Sequence, residues 1–176
     1  LAPRPYLMST STSVSASVAT NYLVDVRFFG PAVDPGIAAA FTAAANRVSA
    51  EITGGVLPVE FVIVDLTQCG ITGVGSLTDT VPSVIIFATV KTLDGVGKII
   101  GSSGPCIIRS SNKLALIGVM QFDVADLQTI FNDGRLSDVI MHEMHHVLGY
   151  GTVWNLLPVT GTPKLIINAG TPTTAF

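Results

Sequence analysis

The window His142-Glu143-Met144-His145-His146 holds all 3 histidines of this 176-residue chain, and its spacing constrains the fold more than any other feature. A helix turns about 100° per residue, so side chains four apart stand about 40° from one another on one face. On a helix, His142 and His146 can therefore aim imidazole nitrogens at one point. Glu143, about 100° round from His142, borders that point without having to ligate anything placed there. The pattern reads H-E-x-x-H, in which two helical histidines hold zinc and the Glu is general base to a zinc-activated water. The competing reading is a helix that merely carries histidines.

The flanking residues predict a real helix. Ser137 and Asp138 offer an N-terminal cap, Val139, Ile140, Val147 and Leu148 supply apolar faces, and Gly149 stands where a left-handed C-cap would end the helix. His145 shares a face with His142 at i, i+3 and could in principle replace His146 as the second ligand. The Leu148-Gly149 continuation favours the His142/His146 register and leaves His145 as a neighbour of the site.

The rest of the chain reads as a small α+β unit. Tyr22 to Phe29 alternates as a strand, with Tyr22, Val24, Val26 and Phe28 on one side and Asp25 and Arg27 on the other. Asp34-Pro35 opens a helix that Gly54-Gly55 closes, and Ile37, Phe41, Ala44, Val48 and Ile52 form its buried stripe. Val59 to Leu66 and Val84 to Val90 are β-branched runs suited to buried strands. The glycines at 95, 97, 101 and 104 are spaced for turns, and no Gly-Lys-Ser/Thr follows to make a phosphate loop. Asp123 caps a short helix running through Phe131, a structural role.

Cys69 and Cys106 are the chain's 2 cysteines, each beside turn-forming residues. An even count in an apparently exported protein favours one disulfide between two loops; two buried thiols are the alternative. Neither has zinc-ligand spacing to the histidines.

The runs Val26 to Pro31, Phe41 to Ala45, Asp94 to Gly101, Gly104 to Arg109, Gly118 to Asp123 with Asp126-Leu127, and Leu136 to Trp154 resemble secreted bacterial proteins of the leishmanolysin-like family. The likeness covers most of residues 21–157 and is most specific in the second half. It implies a metzincin-type zinc endopeptidase: a mixed β-sheet with a backing helix and an active-site helix. His142 and His146 would be zinc ligands and Glu143 the catalytic base. In metzincins the edge strand lining the cleft pairs with extended substrate. Leu114 to Phe122 fits either that role, with Gly118, Val119 and Met120 binding peptide by strand addition, or an ordinary internal strand. Two departures stand out. His145 occupies a position usually held by glycine, and the family's third zinc-binding His and methionine turn have no counterpart here. After His146 the chain has no His, Asp, Glu, Cys or Met, and Thr152 sits where a compact motif would place the third His.

Catalytic zinc normally takes three protein ligands. The expectation is therefore a Ser/Thr-rich arm over 1–20 followed by an incomplete N-terminal catalytic subdomain over 21–176, its C-terminal subdomain absent. Composition points the same way. Hydrophobic residues make up 48% and charged residues 12%, with a mean hydropathy of +0.59. Such a surface stays sticky unless a missing C-terminal segment or self-association covers it. The net charge of -3 argues against nucleic acid as a partner. No stretch of 18 apolar residues predicts a membrane span. The chain starts at Leu1, which suggests a processed or excised product, and residues 1–20 lack the pattern of a signal peptide; that the protein is secreted is what the resemblance implies. Two functions follow. One is a secreted zinc endopeptidase acting on peptide or protein substrates. The other is a non-catalytic structural or binding protein on a degraded protease fold, assembling through its apolar surface.

Overall fold

Asp34 starts the first helix as its sequence predicts. Its carboxylate accepts from the amides of Gly36 (2.8 Å) and Ile37 (3.3 Å), and Pro35 fills the first turn, where a missing N–H costs nothing. In the computed structural model, which describes residues 7–9, 22–53 and 59–153, this helix (α1) spans Pro35–Glu51. Ile37, Phe41, Ala44 and Val48 form its buried stripe, and Ile52 packs partly beneath it as the C-cap. Gly54 and Gly55 lie outside the described residues.

The strands are β1 (Leu7–Ser9), β2 (Val24–Phe28), β3 (Glu60–Asp65), β4 (Ser76–Val81), β5 (Val84–Lys91), β6 (Gly101–Arg109) and β7 (Ala115–Asp123). Two further helices follow, α2 (Val124–Asn132) and α3 (Leu136–Val147). The described residues form an α+β fold around a mixed five-stranded sheet of order β1-β6-β7-β5-β2, with β3 and β4 as a separate antiparallel pair. β2, β5 and β7 run parallel, while β6 runs antiparallel to β7.

Strand β5 shows how the layers form. Val84, Ile86, Ala88 and Val90 face a core shared with the three helices, whereas Ile85 and Phe87 face a second core shared with β3, β4 and the 3-10 turn Leu66–Cys69. Side chains alternate across a strand, so a run buried at every position needs cover on both faces. β3 has no such cover. Among the described residues it pairs with β4 alone, and Phe61 and Ile63 are 43% and 73% exposed, so the strand expected to be buried is half-buried.

Two more expectations change. Gly101 and Gly104 lie within strand β6; Gly95 and Gly97 do take the left-handed turn conformation expected of them. The segment holding Gly118, Val119 and Met120 is an internal strand, with β5 on one side and β6 on the other. Its backbone groups are committed to those ladders, so it is not the peptide-binding edge.

β6 is held in place from three directions. The β5–β6 loop is pinned by Asp123 Oδ2, which accepts from the amides of Leu93, Asp94 and Gly95 at 2.8, 2.8 and 3.0 Å, and by Asp126 Oδ1, which accepts from Gly97 at 2.8 Å. Asp123 Oδ1 meanwhile caps α2 through the amide of Ala125. The amides of Gly95, Ala125, Asp94 and Leu93 hold the Asp123 carboxyl at about 2, against a weaker opposing effect of desolvation. The Cys69–Cys106 disulfide joins the 3-10 turn to β6, so its second partner lies in a strand rather than a loop. Arg109, fully buried, donates to the carbonyl oxygens of Ala115 (2.7 Å) and Ser83 (2.6 Å) and lies 3.3 Å from Glu60.

Candidate metal centre

Helix α3 carries the H-E-x-x-H window. Leu136, Ile140, Met144 and Val147 form its buried face, packed against α1 and the sheet, which leaves His142 exposed and Glu143, His145 and His146 half-buried. The helix begins two residues earlier than a Ser137 cap would start it. Arg135 is the N-cap without a side-chain bond, and Asp138 sits in the first turn, where its charge complements the helix dipole. The C-terminal end turns as expected. Leu148 is the C-cap, and Gly149 and Gly151 have φ of +110° and +75°.

Those two positive φ angles fold the chain back towards the histidines. The Tyr150 carbonyl oxygen lies 2.8 Å from His146 Nδ1. A carbonyl can only accept, so Nδ1 carries the proton and the neutral ring presents its lone pair at Nε2. That second bond is the kind that fixes the tautomer of metal-ligating histidines. Thr152, which occupies the place of a compact third His, donates its hydroxyl to the His146 carbonyl at 2.8 Å.

The two rings meet. His142 Nε2 and His146 Nε2 are 3.1 Å apart, with the ring planes at 90° and centroids 4.7 Å apart. Two nitrogens bound to one tetrahedral zinc at about 2.0–2.1 Å would stand about 3.3–3.4 Å apart, so little movement separates this pair from a ligating geometry. Without a cation, one ring donates to the other. The pair fits zinc as two of its ligands. Among the described residues no group of three or more His, Cys, Asp or Glu side chains converges to hold a metal ion. No ring contact places His145 in the pair.

Glu143 faces strand β6. Ser103 Oγ lies 2.6 Å from Glu143 Oε2 and 2.8 Å from the Glu143 backbone carbonyl oxygen. Nothing local in the sequence signals this contact, because the residues lie 40 positions apart and Ser103 sits in a run read as turns.

The sheet edge beside the site is also β6. β1 pairs only with Ile107, Ile108 and Arg109, so among the described residues the outer side of 101–106 pairs with no strand. Gly118, expected at such an edge, instead makes room for α3: a Cβ there would overlap Val147 Cγ1. Val119 packs partly against the β3–β4 side, and Met120 is fully buried on the helical side. No protein-family model and no curated protein matches this chain.

Proposed function

We propose that this chain is the zinc-binding catalytic part of a leishmanolysin-like, metzincin-type endopeptidase that hydrolyses peptide bonds outside the cell. The observation that carries the reading is the convergence of two Nε2 atoms, 3.1 Å apart, beside the Glu143 carboxylate. His142 and His146 would hold the metal, and the Tyr150 carbonyl would keep His146 in its ligating tautomer. Bound zinc supplies Lewis acidity, which makes water a better nucleophile and a carbonyl a better electrophile. Glu143 takes a proton from the attacking water and passes it to the leaving amine. The outer side of β6 at 101–106 offers backbone groups to an extended peptide, the strand-addition mode of recognition. The Cys69–Cys106 disulfide is in keeping with an oxidising compartment. A third metal donor is required from outside the described residues.

A second reading is favoured by two observations: no third donor among the described residues, and the exposed Phe61, Ile63, Val96 and Ile99. It makes the chain a binding protein on a retired protease fold, assembling through apolar surface. Metal content and proteolysis separate the two. The proposed enzyme binds zinc stoichiometrically and cleaves casein or gelatin. Glu143→Ala keeps the zinc and lowers kcat by about 10²–10⁴-fold, the usual share of a general base. His142→Ala or His146→Ala loses the zinc. Protein that binds no zinc, or that cleaves equally well as Glu143→Ala, sinks the proposal.

A further inference from the structure

We propose that Ser103 is a positioning residue for Glu143, orienting the carboxylate for proton transfer; this rests on the peptidase reading. The geometry is specific. One hydroxyl lies within hydrogen-bonding distance of both the carboxylate Oε2 and the backbone carbonyl oxygen of the same glutamate, at 2.6 and 2.8 Å. A hydroxyl has a single proton, so it donates to one acceptor at a time. A carboxylate oxygen is a stronger acceptor than a peptide carbonyl oxygen, and the short distance to Oε2 matches a charge-assisted bond. The Ser103 contact at Oε2 assigns the other oxygen, Oε1, to the proton taken from water.

The pin matters because Glu143 is only half-buried and has three side-chain torsions, so α3 alone leaves its carboxylate several staggered orientations. A general base must stay within hydrogen-bond reach of the proton it removes, and a misplacement of about 1 Å can cost about 10²-fold. Ser103 is itself fixed. It pairs with Met120 in the β6–β7 ladder, three residues before the disulfide-bonded Cys106 and two after Gly101, where the pinned loop enters the strand.

The test compares the full chain with Ser103→Thr and Ser103→Val, which share a shape and differ by the hydroxyl, and with Ser103→Ala. The expected result is a kcat lowered about 10–100-fold in the Val and Ala variants and largely kept in Thr. KM, zinc content and melting temperature stay at wild-type values throughout. In a Glu143→Ala background, removing the Ser103 hydroxyl changes the residual rate no further. If wild-type protein with bound zinc cleaves nothing, the peptidase reading fails and takes this inference with it. If wild type cleaves and Ser103→Val keeps its kcat, the inference alone is overturned. It is overturned equally if zinc content or melting temperature falls in step with kcat, since Ser103 would then be holding α3 rather than the carboxylate.

Discussion

Gly118 lacks a side chain where helix α3 leans on the central strand, and Val147 fills the space a Cβ would take. Gly118→Ala forces either Val147 or the whole helix outward. Overpacking of this kind costs about 1–3 kcal/mol, and because the histidines ride on the same helix, zinc should be held less tightly as well. Urea unfolding and a competitive zinc titration read the two effects; unchanged values in both would refute the docking argument. Gly118 also marks what residue-level reading can and cannot reach. His142 and His146 were legible because their relation is local: four residues on a helix fix one face. Gly118 and Ser103 draw their meaning from partners on α3, 29 and 40 positions away in sequence, which no local pattern encodes. The tautomer of His146 lies between these cases. The glycines at 149 and 151 signal a turn, but only the folded loop shows that it returns the Tyr150 carbonyl to the ring.

Among the elements, α1 and β5 were plain in the sequence, one from a capped stripe at helical spacing and the other from an unbroken β-branched run. β6 was hidden because Gly101-Ser102-Ser103-Gly104-Pro105 has turn composition; its neighbours, not its propensities, make it a strand. The β5–β6 loop is the clearest of those neighbours. Its amides depend on the Asp123 carboxylate, held at about 2 by Gly95, Ala125, Asp94 and Leu93. A free Asp titrates near 3.9, so the folded state binds this proton less readily than the unfolded chain. The stabilisation is complete above about pH 5 and is lost as the pH falls towards about 2. Asp123→Asn should therefore be less stable than wild type at neutral pH, with the difference shrinking steadily below about pH 4. Melting temperatures across that range check it, and parallel curves for the two proteins would show that the carboxylate charge contributes nothing.

Across the whole molecule, the sheet separates two cores of different construction, and the β3–β4 layer depends on few attachments. The disulfide closes a separation of 37 residues, worth about 3–4 kcal/mol in the chain-entropy account. A second attachment is the Arg27–Asp79 ion pair between β2 and β4, and a third is Arg109, 0% exposed, on β6, facing Glu60, 7% exposed, on β3. Burial pushes the guanidinium's pKa down while the Glu60 and Tyr22 charges oppose it, so the arginine depends on the acid to remain a tolerable buried cation. Its two bonds to the carbonyls of Ser83 and Ala115 bind the ends of β5 and β7 to the same point. Arg109→Met removes the cation from beside the buried Glu60 carboxylate and takes a donor from each of two carbonyl oxygens, and should cost about 3–5 kcal/mol. If the lost Arg109–Glu60 attraction is the larger part of that cost, adding Glu60→Gln must recover some of the loss even though it is a second change to the same core. Urea unfolding of the wild type, both single variants and the double variant gives the coupling directly. Costs that simply add would mean that the two groups lie near one another without depending on one another, and that the disulfide, the Arg27–Asp79 pair and apolar packing hold the β3–β4 layer to the sheet.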